Sequence, residues 1–238
     1  MKVFVTGHKG LLGGHIWDHL TGLGWHLVGY DRKEDGQDEI HNVDRMAEKM
    51  AGCDAAIHLA GIPHPLGHLS RADYIRENIE GSVAVAKAAK QAGVPRFVYC
   101  SSGSVNGFNA HLDTKEGALT EDDHVPVDNA WAAGDYQASK LLAEEGIKKI
   151  KFPKGALALR VDGPGELNQG GVHRGWQCPW GMLVNAFQQA VTVSVPRYAF
   201  IPVNVGYADE GKVDFSQMDK VLGLNADGVI SRTVGVLG

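Results

Sequence analysis

Hydrophobic residues along this chain follow two alternating patterns from the N-terminus onward. Short, nearly continuous apolar runs rich in β-branched residues have the length of buried strands. They occupy residues 3–6, 25–30, 55–59, 96–101 and 156–161. Between them lie longer segments in which apolar residues recur every three or four positions, as on one face of a helix. This alternation predicts an α/β fold with a doubly wound parallel sheet, covered by helices on both faces.

The predicted helical segments cover residues 10–23, 72–92 and 139–150. The first of them carries Leu12, Ile16 and Leu20 on one face. Residues 103–135, in contrast, are rich in glycine, aspartate and asparagine, which predicts a loop. A loop of that length inside a compact domain is typically functional.

Composition limits the classes of partner. With 238 residues, of which 44% are hydrophobic, the chain can bury one sizeable core. The formal net charge is -5 and no long run of like charges occurs, so neither a nucleic-acid nor a membrane partner is expected. Cys53, Cys100 and Cys178 are odd in number and widely spaced, which favours reduced thiols. Because the sequence shows no leader pattern and no membrane-spanning run, we expect a soluble cytoplasmic protein.

The first strand ends in the glycine-rich stretch TGHKGLLG, residues 6–13. Glycine lets the backbone turn tightly and lets another group approach it closely. Between a strand and a helix, such glycines are typical of a Rossmann-type site, where a dinucleotide pyrophosphate binds the helix N-terminus. Asp31 follows about 20 residues later, where an acid holds the ribose hydroxyls of NAD and repels a phosphorylated ribose. The neighbouring Arg32 could accommodate that phosphate, so NADP stays an alternative.

A second candidate for chemistry is the stretch YQASK, in which Tyr136 and Lys140 are four residues apart and share one helix face. An ammonium close to a phenol favours the phenolate, which would let Tyr136 act as a general base toward a substrate hydroxyl. The same spacing also occurs on ordinary solvated helices. Ser101, Ser102 and Ser104 follow the fourth strand, at the carboxyl end where ligands of open α/β sheets bind. We expect Ser101 to cap the turn, and Ser102 and Ser104 to contact substrate.

Together these motifs resemble the extended short-chain dehydrogenase/reductases, also called the NAD-dependent epimerase/dehydratase family. The resemblance extends to HLAG (58–61), ENIEGS (77–82), VYCSSGSVNG (98–107) and LRVDGPG (159–165). It implies that NAD is the cofactor and that Ser102, Tyr136 and Lys140 are catalytic. The residues expected to bind the cofactor are Gly7, Gly10, Leu11, Leu12, Asp31, Arg32, Glu39, Ile40, Leu59, Ala60, Gly61, Asn78, Tyr136 and Lys140.

The chain departs from the family pattern at three places. Glu39 and Ile40 stand where the family usually has aspartate and leucine near the adenine, and Asn42 is expected to cap the next helix. Asn106 replaces a usual tyrosine. No acid follows Ser102 where the sugar dehydratases of the family carry an aspartate and a glutamate, which disfavours dehydration.

Residues 1–160 are expected to form the NAD-binding domain with the catalytic residues. Residues 161–238 are expected to form a small substrate lobe, interleaved with the last strands of the same domain. This tail is short for the family and is similar in layout to the uronate-dehydrogenase-like members. We therefore expect a small free sugar or sugar acid as substrate, with Arg174 forming a bidentate pair with a carboxylate. Family members pair through the helices corresponding to 72–92 and 139–150, which implies a homodimer.

The sequence leaves three functions open. An NAD-dependent oxidoreductase would move a hydride between nicotinamide and a secondary hydroxyl of a sugar or sugar acid, whereas an epimerase would use the same residues with no net redox change. A sensor or scaffold would bind NAD without turnover. A metal site is not expected, because Pro63, Pro65 and Gly67 oppose the helix that would bring His64 and His68 together.

Overall fold

The structure of the chain is a computed structural model that describes residues 1–107, 114–165, 176–208 and 212–225. Its strands are β1 (Lys2–Thr6), β2 (His26–Tyr30), β3 (Ala55–His58), β4 (Phe97–Ser102), β5 (Ala156–Val161), β6 (Pro164–Gly165), β7 (Trp176–Pro179), β8 (Phe200–Val205) and β9 (Tyr207–Ala208). Its α-helices are α1 (Leu11–Gly22), α2 (Val43–Met50), α3 (Arg71–Tyr74), α4 (Gly81–Gln91), α5 (Ser104–Gly107), α6 (Asp135–Lys148), α7 (Trp180–Thr192) and α8 (Ser216–Leu222). A π-helical segment, Ile75–Glu80, joins α3 to α4, and a 3-10 helix covers Val127–Ala133.

The main sheet has six parallel strands in the order β2-β1-β3-β4-β5-β8. This confirms the predicted doubly wound α/β fold. The strand order changes direction between β1 and β3, since the chain leaves β1 for β2 and returns to β3 on the other side. In open parallel sheets, ligands bind at such a switch point, outside the carboxyl ends of the strands. The fold thus places a crevice after Thr6 and His58, the last residues of β1 and β3.

Apolar residues on both faces of the sheet explain why its strands are nearly continuous hydrophobic runs. On one face, α1, α7 and α8 pack through residues such as Ile16, Phe187 and Leu222. On the other face, α2, α4 and α6 pack through residues such as Val85 and Ile147. Each face therefore has its own buried core, with the sheet between them.

The predicted loop over residues 103–135 is wrong in two places. Helix α5 follows β4 directly, and the 3-10 helix precedes α6. Both pack on α6, where Val105 and Ala130 form a buried cluster with Ala138 and Leu141. Burial of these apolar side chains outweighs the loop-like composition around them. Helix α6 also begins at Asp135, four residues before the predicted start.

The C-terminal part returns to the main sheet. After β5 the chain forms the small sheet β6-β7-β9, and β8 pairs in parallel with β5 at the edge of the main sheet. Cys53, Cys100 and Cys178 are buried and free. Within the four described ranges, every helix is too short or too polar to cross a bilayer.

Candidate active site

A cavity of about 780 Å³ lies at the carboxyl ends of β1, β3, β4 and β5. The sequence-predicted residues that line it are Gly7, Gly10, Leu11, Leu12, Asp31, Arg32, Ile40, Leu59, Ala60, Gly61, Ser102, Ser104, Tyr136 and Lys140. Glu39 and Asn78 do not line it, and Arg174 lies outside the described residues. Residues predicted from motifs far apart in the sequence thus meet in one cavity.

The glycine turn brings the backbone of β1 against the loop that follows β3. Gly7 has a φ of +71°, and a Cβ at this position would stand 2.7 Å from the backbone nitrogen of Ala60. Glycine is required here both by the left-handed backbone and by this contact. Helix α1 then begins at Leu11 with its N-terminus at the cavity, where its unpaired N–H groups can bind a diphosphate. The turn therefore fits the pyrophosphate of a dinucleotide.

Asp31 is held in place by two backbone donors. Its Oδ2 atom accepts a hydrogen bond from the Lys9 N–H at 3.0 Å, and its Oδ1 atom accepts one from the Lys33 N–H at 2.9 Å. Each carboxylate oxygen keeps a lone pair that can accept a ribose hydroxyl. The Arg32 guanidinium, 58% exposed, lies 3.9 Å from carboxylate oxygens of Glu39 and Glu77. Both carboxylates attract the guanidinium, so the phosphate of an NADP ribose would have to compete with them for Arg32.

A buried chain of side chains ties β1 to β3 beneath the cavity. Leu59 N–H and Ala60 N–H donate to Thr6 Oγ1 at 3.1 and 3.2 Å. Thr6 Oγ1 also lies 2.7 Å from His58 Nδ1, and His58 Nε2 lies 2.9 Å from Ser82 Oγ. Burial, with the nearby Lys140, lowers the pKa of His58 to about 3. The imidazole is thus neutral and fixes the loop that carries Leu59 and Ala60.

Asn78 supports the cavity wall from behind. It lies in the π-helical segment and is 1% exposed. Its Oδ1 atom accepts from the Ile62 N–H at 2.7 Å, and its Nδ2 atom donates to Ser139 Oγ at 2.9 Å. Ser139 in turn donates to the carbonyl oxygen of Tyr136 at 2.7 Å. Asn78 therefore connects the loop after β3 to the first turn of α6. Its predicted contact with the cofactor stays a prediction.

Of the two residues expected near the adenine, Glu39 and Ile40, one lines the cavity. Ile40 lines the cavity, but Glu39 does not. The adjacent Asp38 lines it instead, with hydrogen bonds from Arg45 Nε at 3.0 Å and Lys49 Nζ at 2.8 Å. Asn42 caps α2 as predicted, because its Oδ1 atom accepts from the Arg45 N–H at 3.1 Å.

Ser102, Tyr136 and Lys140 stand together at the ends of β4 and α6. Tyr136 is 7% and Ser102 is 6% exposed, and the two side chains form a hydrogen bond. Lys140 Nζ donates to the carbonyl oxygen of Cys100 at 3.1 Å and lies 6.0 Å from the centre of the Tyr136 ring. The Ser104 N–H donates to Ser102 Oγ at 3.1 Å, which fixes the serine hydroxyl.

Burial controls the protonation of this group. It raises the pKa of Tyr136 well above its ordinary value, while the hydrogen bond with Ser102 acts in the opposite direction. Burial also lowers the pKa of Lys140, which Cys100 and Glu144 partly offset. The spacing predicts a lowered pKa for Tyr136, whereas burial, the largest cause, shifts this pKa upward.

A buried ion pair connects β5 to α6. Arg160 donates from Nε to Glu144 Oε1 at 3.0 Å and from Nη2 to Glu144 Oε2 at 2.7 Å. Ser101 donates to the same carboxylate, so it does not cap the turn as expected. Arg160 Nη1 also donates to Asn106 Oδ1 at 3.3 Å, which gives a role to the asparagine at the position where the family usually has tyrosine. Arg160 and Glu144 are both 2% exposed.

Sequence reasoning missed several cavity residues. One of them is Asp162, directly after β5. It lies in the recognised stretch LRVDGPG, but only the parallel pairing of β4 with β5 shows that it stands beside Ser102. Among the described residues, no three His, Cys, Asp or Glu side chains are close enough to hold a metal ion.

Comparison with known proteins identifies the family of the chain. The model described as the NAD dependent epimerase/dehydratase family matches residues 3–154, which include the glycine turn and the Ser102, Tyr136 and Lys140 positions. The chain belongs to this family. NAD is therefore its cofactor, as the motifs predicted.

Two curated relatives of the epimerase/dehydratase chain carry different activities in their names. One is a 4-hydroxy-2-methyl-3-oxo-4-farnesyl-3,4-dihydroquinoline-1-oxide ketoreductase of Stigmatella aurantiaca, 27% identical over 177 residues, which are 69% of this chain and 47% of that protein. The other is a UDP-glucose 4-epimerase of Azospirillum brasilense, 28% identical over 162 residues, which are 62% of this chain and 44% of that protein. The chain spans about half the length of these relatives or less.

Similar solved structures show the shared fold. MoeE5 in complex with UDP-glucuronic acid and NAD has a TM-score of 0.72 at 22% identity, covering 94% of this chain and 93% of that one. A mutated uronate dehydrogenase has a TM-score of 0.66 at 18% identity, covering 92% of this chain and 78% of that one.

Proposed function

We propose that the chain is an NAD-dependent oxidoreductase that transfers a hydride between nicotinamide and a secondary hydroxyl of a sugar or sugar acid. The observation that carries the proposal is the meeting of Ser102, Tyr136 and Lys140 in the cavity that also holds the glycine turn. Bound NAD supplies the hydride acceptor or donor. The chain supplies the groups that bind the substrate oxygen and move its proton.

Each of the three side chains has a distinct task in this proposal. Ser102, fixed by the Ser104 N–H, orients the substrate oxygen. Tyr136 exchanges the proton of that oxygen. Because burial raises the pKa of Tyr136, its phenol is protonated at neutral pH and ready to donate, as a reduction requires. To accept a proton, as an oxidation requires, it depends on positive charge nearby, and Lys140 is the cation that the chain provides.

The proposed function is tested by incubating the pure protein with NAD or NADP and a panel of free sugars, sugar acids and nucleotide sugars. NADH absorbance and product identity are followed together. Accumulating NADH supports a dehydrogenase, whereas converted sugar without net NADH supports an epimerase. NAD binding without turnover of any compound supports a sensor or scaffold. Arg174→Lys, assayed on the sugar acids of the panel, tests Arg174 as the partner of the carboxylate, because lysine keeps the charge but loses the planar fork.

We expect NAD to bind more tightly than NADP. Asp31→Ala should reduce the ratio of the two affinities by about 10-fold or more. The carboxylate accepts ribose hydroxyls while its charge repels a ribose phosphate, and hydrogen bonds to a charged group contribute roughly 1.5–3 kcal/mol each. Calorimetric titration with both cofactors measures this difference. Asp35→Ala is the control, since Asp35 is 42% exposed, pairs with Arg45 and does not line the cavity. Equal affinities of the unmutated protein for NAD and NADP would contradict the prediction.

We also propose a homodimer formed through α4, its π-helical extension and α6. Partly exposed apolar side chains lie on these helices, among them Ile79, Val83 and Leu142. Pairing with a second copy would remove them from water, which favours association. Light scattering at micromolar concentration is expected to give twice the mass of the chain, and a monomer would contradict this proposal.

A further inference from the structure

Asp162 is a carboxylate in the cavity that the catalytic scheme does not use. It directly follows Val161, which pairs with Ser102 in the register of β4 and β5. It lines the same cavity wall as Ser102 and Tyr136. Its side chain therefore stands beside the position proposed for the reacting oxygen.

Only one of the two carboxylate oxygens of Asp162 has a hydrogen-bond partner among the described residues. Its Oδ1 atom accepts from the Gly163 N–H at 2.9 Å. Its Oδ2 atom is buried and has no hydrogen-bond partner among the described residues. The backbone at Gly103 gives it room, since a Cβ there would stand 2.8 Å from the Cβ of Asp162. Asp162 is thus tightly packed, and the part of the chain that the structure describes does not provide the second partner that a buried carboxylate normally has.

This arrangement costs stability. Burial raises the pKa of Asp162 to about 6, so the group is largely ionised at neutral pH, and no cation pairs with it among the described residues. Groups perturbed in this way, in a cleft and beside reacting residues, are candidates for a role in binding. An ionised carboxylate only accepts hydrogen bonds, so the missing partner must be a donor.

We propose that Asp162 accepts a hydrogen bond from a hydroxyl group on the carbon next to the reacting carbinol, and so selects vicinal diols over isolated secondary alcohols. The inference rests on the proposed function, because it places the reacting oxygen at Ser102 and Tyr136. Rotation about the Cβ–Cγ bond of aspartate is soft, so the carboxylate can turn toward the ligand. An apolar substrate would leave the carboxylate buried and unpaired, whereas a polyol satisfies it. Asp162 is therefore a specificity-determining residue that favours sugar-like substrates over steroid-like or alkyl ones.

The test uses pairs of probes that differ by one hydroxyl. The first pair is trans-cyclohexane-1,2-diol and cyclohexanol, and the second is D-glucose and 2-deoxy-D-glucose. For each pair, the ratio of kcat/KM values with saturating NAD is measured in the wild type and in Asp162→Asn and Asp162→Ala. Calorimetry of the same probes with NAD-loaded protein gives the corresponding ratio of affinities. Asp128→Asn is the matched control, because Asp128 is exposed and outside the cavity.

The wild type is expected to prefer the hydroxylated member of at least one pair by roughly 10- to 100-fold, the range for a hydrogen bond to a charged group. The preference should fall in Asp162→Asn, which keeps a neutral acceptor, and approach unity in Asp162→Ala. Asp128→Asn should keep the wild-type preference. Because the ratio compares two ligands on one variant, a general loss of packing leaves it unchanged. Should Asp162→Ala fail to fold, the asparagine variant carries the test.

Several results would overturn the inference. One is a wild-type preference that is absent, or that persists in both Asp162 variants. Another is a loss of NAD affinity in these variants with an unchanged ratio, which would assign the carboxylate to the carboxamide of the cofactor. A protein that turns over alcohols with no dependence on Asp162 refutes this inference alone. One that binds the diols through Asp162 but turns over no alcohol refutes the proposed function alone, and one that neither binds nor turns over any probe refutes both.

Discussion

Tyr136→Phe is expected to reduce NAD-linked turnover by roughly 10²-fold or more while leaving NAD affinity nearly unchanged. The change removes only the hydroxyl that exchanges the substrate proton in the proposed function. It leaves the ring in its buried position against Tyr74, with 6.4 Å between the ring centres. The glycine turn and Asp31, which we propose to hold the other end of the cofactor, are not touched. Steady-state kinetics on the best substrate of the panel and calorimetric titration with NAD measure the two quantities.

Tyr74→Phe is the matched control for this experiment. Tyr74 is also buried, and its hydroxyl accepts from the Leu66 N–H at 2.7 Å, but the side chain does not line the cavity. Deleting that hydroxyl should change turnover by no more than a few-fold, since it breaks only the two hydrogen bonds with the Leu66 backbone, each of about 1 kcal/mol net. Near-normal turnover in Tyr136→Phe, or an equal loss in both variants, would remove Tyr136 from the mechanism.

Glu144→Ala is expected to lower the free energy of unfolding by about 3–5 kcal/mol. The substitution leaves the Arg160 guanidinium, 2% exposed, without its carboxylate partner. It also removes the acceptor of the Ser101 hydroxyl, so two buried donors lose a partner at once. Urea denaturation followed by circular dichroism measures the change.

Glu145→Ala, one residue further along α6, is the matched control. It separates the effect of burial on stability from the effect of losing an ion pair. Glu145 pairs with Lys148 at 3.1 Å, but these side chains are 27% and 55% exposed. An exposed pair of this kind contributes at most about 1 kcal/mol. Similar losses in the two variants would mean that the Glu144–Arg160 pair does not brace the core as its geometry indicates.

Features that are set by neighbouring residues could be predicted from the sequence, whereas features that depend on the packing of distant segments could not. The glycine turn and Asp31 could be predicted because each is defined by its neighbours and by a short spacing from a strand. The Glu144–Arg160 pair could not, since its partners are 16 residues apart and both resemble ordinary surface charges in the sequence. The same holds for Asp162, whose position beside Ser102 depends on the pairing of β4 with β5.

Two side chains have surroundings that a sequence does not contain. The spacing of Tyr136 and Lys140 predicts a lowered tyrosine pKa, but burial raises it. The motif match places Asn78 at the cofactor, which stays a prediction, and the structure adds hydrogen bonds of its amide to Ile62 and Ser139. In both instances the residue type was identified and its surroundings were not.

The hydrogen atoms along the buried chain of Thr6, His58 and Ser82 can be arranged in only one order. Two N–H groups already donate to Thr6 Oγ1, so the threonine must donate its own hydrogen to His58 Nδ1. The imidazole, which is neutral, then carries its hydrogen on Nε2 and donates to Ser82. An imidazolium would point a second hydrogen, on Nδ1, at the threonine oxygen, whose two lone pairs already accept hydrogen bonds. This tautomer is thus built into the floor of the cavity, and His58 stays uncharged over the neutral pH range.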